Sequence, residues 1–375
     1  MLRCILRLGL LAAVLIQVTE ASALKVRHDA APTATVKNGT YSGRYNAEYN
    51  QDFFLGIPYA QPPVDSLRYR NPASLNKSWE MLMPPLSLRR AITSVQLRCR
   101  ESHTQKTASI SMWYGQTVLS QVTDCPSLCK PMIGVNINYR LQLFGFMYGS
   151  AVFESGVGNL GYKDQHLALR WLQENIGAFG GDPSNVTIWG ESAGAESSGA
   201  HLISYGGQDQ GLFRGVILES GGPINPYRYN TPAQWDVYYN DIVRAANCSI
   251  TADTLACLRT VPSDNLFSIF NSSGVDSIPS WGMEIDGDFI RGNAGEALLA
   301  GNFIKVPVLQ GENRDEGTVF SITGVNTDAE FFSMVRERTP DNTTVHAIAR
   351  LYPDIPEVGV PLTLKGRPSA SLGFQ

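Results

Sequence analysis

The chain is 375 residues long, 43% hydrophobic and only 17% charged. That supplies enough apolar material for a large core and too few charges for a disordered polymer. The formal net charge is −4 with no long basic run, so nucleic-acid binding has little electrostatic support.

Residues 1–23 read as a secretory signal peptide. Arg3 and Arg7 give a positive start, residues 8–18 form an apolar run too short to span a bilayer, and Ala21-Ser22-Ala23 is a small-residue cleavage site. No later stretch approaches a transmembrane span, so the mature chain, 24–375, is expected to be one soluble extracellular domain with no stable membrane span. Residues 36–59 contain short strand-like runs broken by Gly39 and Gly43, and Ile57-Pro58-Tyr59-Ala60-Gln61-Pro62-Pro63 is a rigid extended turn. Residues 80–129 are rich in Arg, Ser, Thr and Gln and show no alternating strands. Residues 132–139, apolar but for Asn136 and Asn138, read as a strand buried on both faces. Residues 164–179 carry Leu167, Leu169, Trp171, Leu172 and Ile176 at helical spacing. Strands follow at 186–189, 214–219 and 306–310, and helices at 195–203, 235–246 and 328–338. This alternation predicts a parallel α/β sheet.

Of the six cysteines, Cys4 leaves with the signal, and Cys99, Cys125, Cys129, Cys248 and Cys257 remain. Cys248 and Cys257 flank a short polar segment between two helical stretches, which suits a small disulfide loop. The other three have no assigned partners, and no cysteine or histidine spacing supports a zinc site. Six N-x-S/T sequons begin at Asn38, Asn76, Asn185, Asn247, Asn271 and Asn342. Glycosylation is expected at Asn38, Asn76, Asn271 and Asn342. Asn185 leads directly into a strand and Asn247 adjoins Cys248, so both are set aside.

Gly190-Glu191-Ser192-Ala193-Gly194 reads G-x-S-x-G between the strand 186–189 and the helix 195–203. A serine on so sharp a turn points its hydroxyl out of the sheet's edge, and flanking glycines let strand and helix pass closely. The arrangement makes a nucleophile.

Several further motifs run in order: Phe54-Leu55-Gly56-Ile57-Pro58-Tyr59-Ala60-Gln61-Pro62-Pro63, Asn138-Tyr139-Arg140-Leu141, Gly158-Asn159-Leu160-Gly161, Asp164-Gln165, Phe179-Gly180-Gly181-Asp182-Pro183, Glu219-Ser220-Gly221-Gly222-Pro223 and Asp315-Glu316-Gly317. Together with the nucleophile motif they resemble the type-B carboxylesterase/lipase family of α/β-hydrolases, which includes cholinesterases and fungal lipases. The resemblance covers residues 24–79 and 130–375 and is strongest to fungal members. It implies that Ser192 accepts the acyl group and that Glu316 orients a catalytic histidine, fixing its tautomer and stabilising the imidazolium. It also implies that Ala193 donates its backbone N–H to the oxyanion and that Cys248 and Cys257 form a disulfide loop. Glu191 lies beside the nucleophile, where it tunes the site or makes a structural hydrogen bond.

Two family features have no match. An H-G-G-G-type oxyanion loop and the Glu-Asp-Cys segment upstream of it are not found in 80–129, which does not match the family. A catalytic histidine in a Gly-x-x-His context does not follow Glu316. Of His28, His103, His166, His201 and His346, only His346 lies downstream of Glu316, in a helical run. The expected fold is therefore an α/β-hydrolase with a mostly parallel central sheet flanked by helices, missing part of its N-terminal half and its C-terminal end. The expected activity is hydrolysis of a small-molecule or lipid ester through an acyl-enzyme on Ser192, with no metal or organic cofactor and with the base unidentified. The rivals are a secreted binding or adhesion protein on the same fold that has lost the chemistry, and a non-functional truncated product. The retained Ser192 and Glu316 count against the first rival.

Overall fold

The computed structural model describes residues 31–48, 51–82, 94–100, 106–111, 132–224, 229–271, 281–313, 316, 325, 327–339 and 341–351. The signal-peptide reading at 1–23, and Cys125 and Cys129, lie outside the described residues. Strands β1 (Thr33–Val36) and β2 (Gly39–Ser42) form a tight antiparallel hairpin. Gly39 permits it: its φ is +141°, and a Cβ there would lie 2.0 Å from the Trp79 carbonyl oxygen. The chain continues through β3 (Arg44–Asn46), β4 (Gln51–Pro58), β5 (Met81–Leu82), β6 (Ser94–Arg100), β7 (Lys106–Ser111) and β8 (Met132–Ile137). Strands β5, β6 and β7 fall inside 80–129, where the composition predicted no strands.

Helices α1 (Gln142–Gly145), α2 (Ser150–Glu154) and α3 (Leu160–Asn175) follow, then β9 (Gly181–Glu191), α4 (Ala193–Ile203) and β10 (Gly215–Glu219). Helices α5 (Pro232–Ala245), α6 (Thr254–Thr260), α7 (Ser263–Phe270) and α8 (Ala294–Leu299) precede β11 (Val308–Gly311), and α9 (Asp328–Arg338) and α10 (Asn342–Leu351) come last. Helix α3 starts four residues before the expected Asp164, because Asn159 in the left-handed region (φ 53°, ψ 37°) turns the chain into it. Helix α5 starts at Pro232 through a reciprocal Thr231–Gln234 capping box with proline at the first helical position. Helix α9 has the bounds the periodicity predicts, set by a second capping box between Thr327 and Glu330.

The main sheet has eight strands in the order β11-β10-β9-β7-β8-β6-β4-β3. From β8 to β11 every neighbour is parallel; β8–β6, β6–β4 and β4–β3 are antiparallel. A small sheet, β1-β2-β5, is separate from it in hydrogen bonding, and its Ala34 and Tyr41 pack into the same core. The main sheet therefore takes two strands, β6 and β7, from the segment where the composition predicted none. Ile133, Val135, Ile137, Val186, Ile188, Val216 and Leu218 from the central strands are buried against Leu169, Trp171 and Leu172 of α3 and Leu202 of α4. Burial of each such side chain is worth about 1.5–3 kcal/mol. This core fixes α3 and α4 on the sheet, and with them the turn between β9 and α4. Cys248 and Cys257 are disulfide-bonded, tying the end of α5 to α6. Among the described residues no helix is long and apolar enough to cross a membrane.

Candidate active site

Ser192 sits between the end of β9 and the start of α4 with φ 53° and ψ −121°. A non-glycine residue there is strained by about 1–3 kcal/mol, and such strain persists only when the surroundings over-determine it. The surroundings do so here. The Ser192 N–H donates to the Glu219 carbonyl at the end of β10, 2.9 Å away, and the Ser192 carbonyl accepts the Glu196 N–H at 2.9 Å, closing the first turn of α4. A Cβ on Gly190 would lie 2.1 to 2.6 Å from backbone atoms of Gly194, so the first glycine of the motif is demanded by the close pass of strand and helix. Further along α4, Gly199 meets the backbone of Gly222 and Pro223, where a Cβ would lie 2.3 to 2.6 Å away. The loop after β10 is thus pressed onto the nucleophile helix, and Ser192 itself stays exposed.

Ala193 is the first residue of α4. The first amides of a helix have no partner within it and carry the positive end of the helix dipole. Its N–H is one of these amides.

Glu316 lies two strands from the nucleophile, in the chain that leaves β11. Three donors converge on its Oε1: the Ser220 hydroxyl, the Asn313 backbone N–H at 2.6 Å and the Asn313 side-chain amide at 2.8 Å. Ser220 is itself held at positive φ (54°), with its N–H on the Gly311 carbonyl at 2.9 Å. Consecutive residues of the β10 exit therefore hold the two residues: the Glu219 carbonyl accepts from the Ser192 turn and the Ser220 hydroxyl donates to Glu316. Asp315 and Gly317, the acid's motif neighbours, lie outside the described residues.

Glu191, beside the nucleophile, has its carboxyl pushed above the usual range by burial first, then by the Glu219 and Glu316 carboxylates. Three carboxyl groups therefore share this edge of the sheet. One turn beyond Ser192, burial also raises the Glu196 carboxyl. The motif reading named Ser192, Ala193, Glu191 and Glu316. It missed Ser220 and Asn313 as partners of the acid, because Ser220 stands 96 residues from Glu316 and no periodicity marks it.

The three described histidines lie elsewhere. His201 is at the far end of α4, about 13 Å along the axis from Ser192 at 1.5 Å per residue, and is fully buried. His166 stacks on it with ring centroids 6.0 Å apart. His346 lies exposed on α10 with its ring 5.3 Å from that of Phe332. His28 and His103 lie outside the described residues. Strand β7 ends at Ser111, paired with Trp189 of β9, so the chain leaves β7 on the nucleophile's edge; residues 112–131, which follow, are outside the described residues. Among the described residues no group of three histidine, cysteine or acidic side chains is arranged to hold a metal ion.

An α/β sheet with a serine elbow after β9 and a carboxylate after β11 defines an α/β-hydrolase fold. Two esterases of known structure superpose on the chain: EstA from Aspergillus niger (TM-score 0.69, 27% identity, covering 87% of this chain and 68% of that one) and PNB esterase (TM-score 0.68, 27% identity, 88% and 73%). The model of the Carboxylesterase family matches residues 30–85 and 106–352, so only 86–105 falls between its two matched parts. Lipase 2 of Diutina rugosa is 34% identical over 366 residues, and Secreted lipase 1 of Botryotinia fuckeliana 30% over 387. The chain belongs to the carboxylesterase family. It spans 65% of the length of the first relative and 67% of the second, which in turn account for 80% and 87% of this chain.

Proposed function

We propose that this chain is a secreted carboxylic ester hydrolase of the serine type. The observation that carries the reading is Ser192, held in a strained turn by the Glu219 carbonyl while Glu316 is clamped at the exit of β11 by Ser220 and Asn313. In this reading Ser192 Oγ attacks the ester carbonyl and the Ala193 N–H stabilises the oxyanion. Glu316 orients the base that takes the serine proton, and water then releases the acyl group. The substrate is a small-molecule or lipid ester; relatives of the chain are named lipases and esterases. No metal or organic cofactor has a role in this chemistry.

The test is labelling by a fluorophosphonate, a serine-directed acyl mimic, together with hydrolysis of a short p-nitrophenyl ester. A label on Ser192 that disappears in the folded Ser192→Ala variant supports the reading. Removing a serine nucleophile typically costs roughly a million-fold in turnover. A folded chain whose Ser192 takes no label overturns it. A second reading, a binding protein on the same fold, is favoured by one observation: His166 and His201 are locked together towards the far end of α4 from Ser192.

Secretion is part of the same proposal, supported by the secreted relative and by the disulfide. Asn76, Asn271 and Asn342 are exposed, whereas the Asn38 amide donates to the Lys77 carbonyl at 2.9 Å and the Asn185 amide bonds to Asp182. Glycopeptide mass spectrometry of secreted material is expected to find high occupancy at the first three and low occupancy at Asn185 and, contrary to the expectation from the sequon alone, at Asn38. Equal occupancy at all five would contradict this ordering.

A further inference from the structure

His166 of α3 and His201 of α4 form a buried pair that the ester chemistry does not use. Their rings stack 6.0 Å apart at 21° and are 6% and 0% exposed. The His201 Nε2 lies 3.1 Å from the Gln165 side-chain oxygen, and the His166 Nε2 lies 3.3 Å from that of Gln210. Both partners are acceptors, so each ring carries its proton on Nε2. Each Nδ1 is buried with no hydrogen-bond partner. The Gln165 amide is further tied to Ser197 of α4 at 3.2 Å, so the pair and its glutamine stitch the two helices together.

We propose that the stacked His166–His201 pair is an acid-sensitive latch that holds the nucleophile helix α4 against α3 and releases it on acidification.

A proton added to either ring must go to Nδ1, where no acceptor waits. The groups facing the pair offer no counter-charge. Phe289 meets both rings edge-on and Tyr205 meets His166. On α3, Arg170 donates to the same Gln210 oxygen as His166, at 2.7 Å, and repels a charged ring. Asp286 and Asp288, in the segment carrying Phe289, are bridged by Lys163 at 3.5 and 2.9 Å. Ser204 gives its hydroxyl to the His201 carbonyl. Arg291 is the remaining charge near Tyr205 and has the wrong sign.

Burial therefore pushes His166 down from 6.5 to about 4, helped by Arg170, and pushes His201 well below its ordinary value, helped by His166. A depressed histidine contributes stability that is complete above the unfolded value of 6.5. That contribution is lost as pH falls from there towards the folded value, because the open state binds the extra proton. The loss is roughly tenfold in the closed-to-open ratio per pH unit and per ring. Glu191, Glu196 and Glu284 are shifted upward by burial and act in the opposite direction, so the histidines are isolated only by comparison with variants.

The experiment is amide hydrogen exchange over residues 193–203 at pH 7 and pH 5, corrected for intrinsic exchange, in the wild type and in the double variant His166→Gln/His201→Gln. Glutamine can donate to the same acceptors but takes up no proton. Protection of α4 in the wild type is expected to fall at least tenfold more than in the double variant. Equal changes in both proteins, or no change in the wild type, would overturn the latch. If the double variant does not fold, histidine ring NMR of the wild type decides. Both rings are expected to stay neutral and protonated on Nε2 until α4 begins to exchange, and a ring that titrates near its ordinary value while α4 stays protected is the contrary result. Neither readout depends on ester hydrolysis.

Discussion

Replacing Asp164 with alanine is expected to cost about 3–5 kcal/mol of folding stability, because it leaves a buried guanidinium without its counter-charge. Asp164 and Arg140 are 0% and 2% exposed. The Arg140 Nε donates to Asp164 Oδ2 at 2.8 Å, a terminal nitrogen donates to Oδ1 at 2.6 Å, and the Arg140 backbone N–H adds a third bond at 3.0 Å. The other terminal nitrogen donates to the Arg70 carbonyl at 2.8 Å, so the guanidinium cannot swing out to water without breaking a second anchor. The pair joins the chain just after β8 to α3, the helix on which α4 rests. A loss of this size is a large fraction of the 5–15 kcal/mol typical of a folded domain. Denaturant titration of the single variant and of Arg140→Met/Asp164→Leu makes the check. The double variant is expected to recover most of the loss, since removing both charges leaves none stranded. A loss below about 1 kcal/mol in Asp164→Ala would contradict the account.

Gly190→Ala is expected to be nearly as severe, at or above the roughly 3 kcal/mol typical of an overpacked core. The new methyl would lie 2.1 Å from the Gly194 carbonyl carbon and 2.2 Å from its oxygen. The obstacle is backbone, which cannot move aside as a flexible side chain would. Relief would require parting the end of β9 from the first turn of α4, the feature that holds Ser192 at positive φ. Loss of the phosphonate label should therefore accompany the loss of stability. Gly134 in β8 is the control: among the described residues nothing lies within 4 Å of a Cβ there, so Gly134→Ala is expected to be neutral or stabilising by about 0.4–1 kcal/mol. Thermal unfolding of the two variants side by side checks the contrast, and similar midpoints would mean that the close pass does not constrain the turn.

The sequence by itself determined the elements whose signal is local. The strands of β8 and β10 were legible because several consecutive residues are apolar. The helix α9 was legible at 328–338, and the elbow from five adjacent residues with glycines two positions either side of Ser192. The pattern for β6 was also present: Val95, Leu97 and Cys99 alternate with Gln96, Arg98 and Arg100, a period of two that the bulk composition of 80–129 obscured. Strand β7 was not legible. Lys106-Thr107-Ala108-Ser109-Ile110-Ser111 has little strand character of its own and becomes a strand through its ladders to β8 and β9.

What only the tertiary structure decided were the relations across long stretches of chain. The Ser220 grip on Glu316, the Glu219 carbonyl under Ser192, and the stacking of His166 on His201 each join residues that no spacing rule connects. Periodicity reports which face of an element is buried. Which polar atom meets which depends on how neighbouring strands are ordered and registered, and that order is set when the whole sheet buries its apolar faces together.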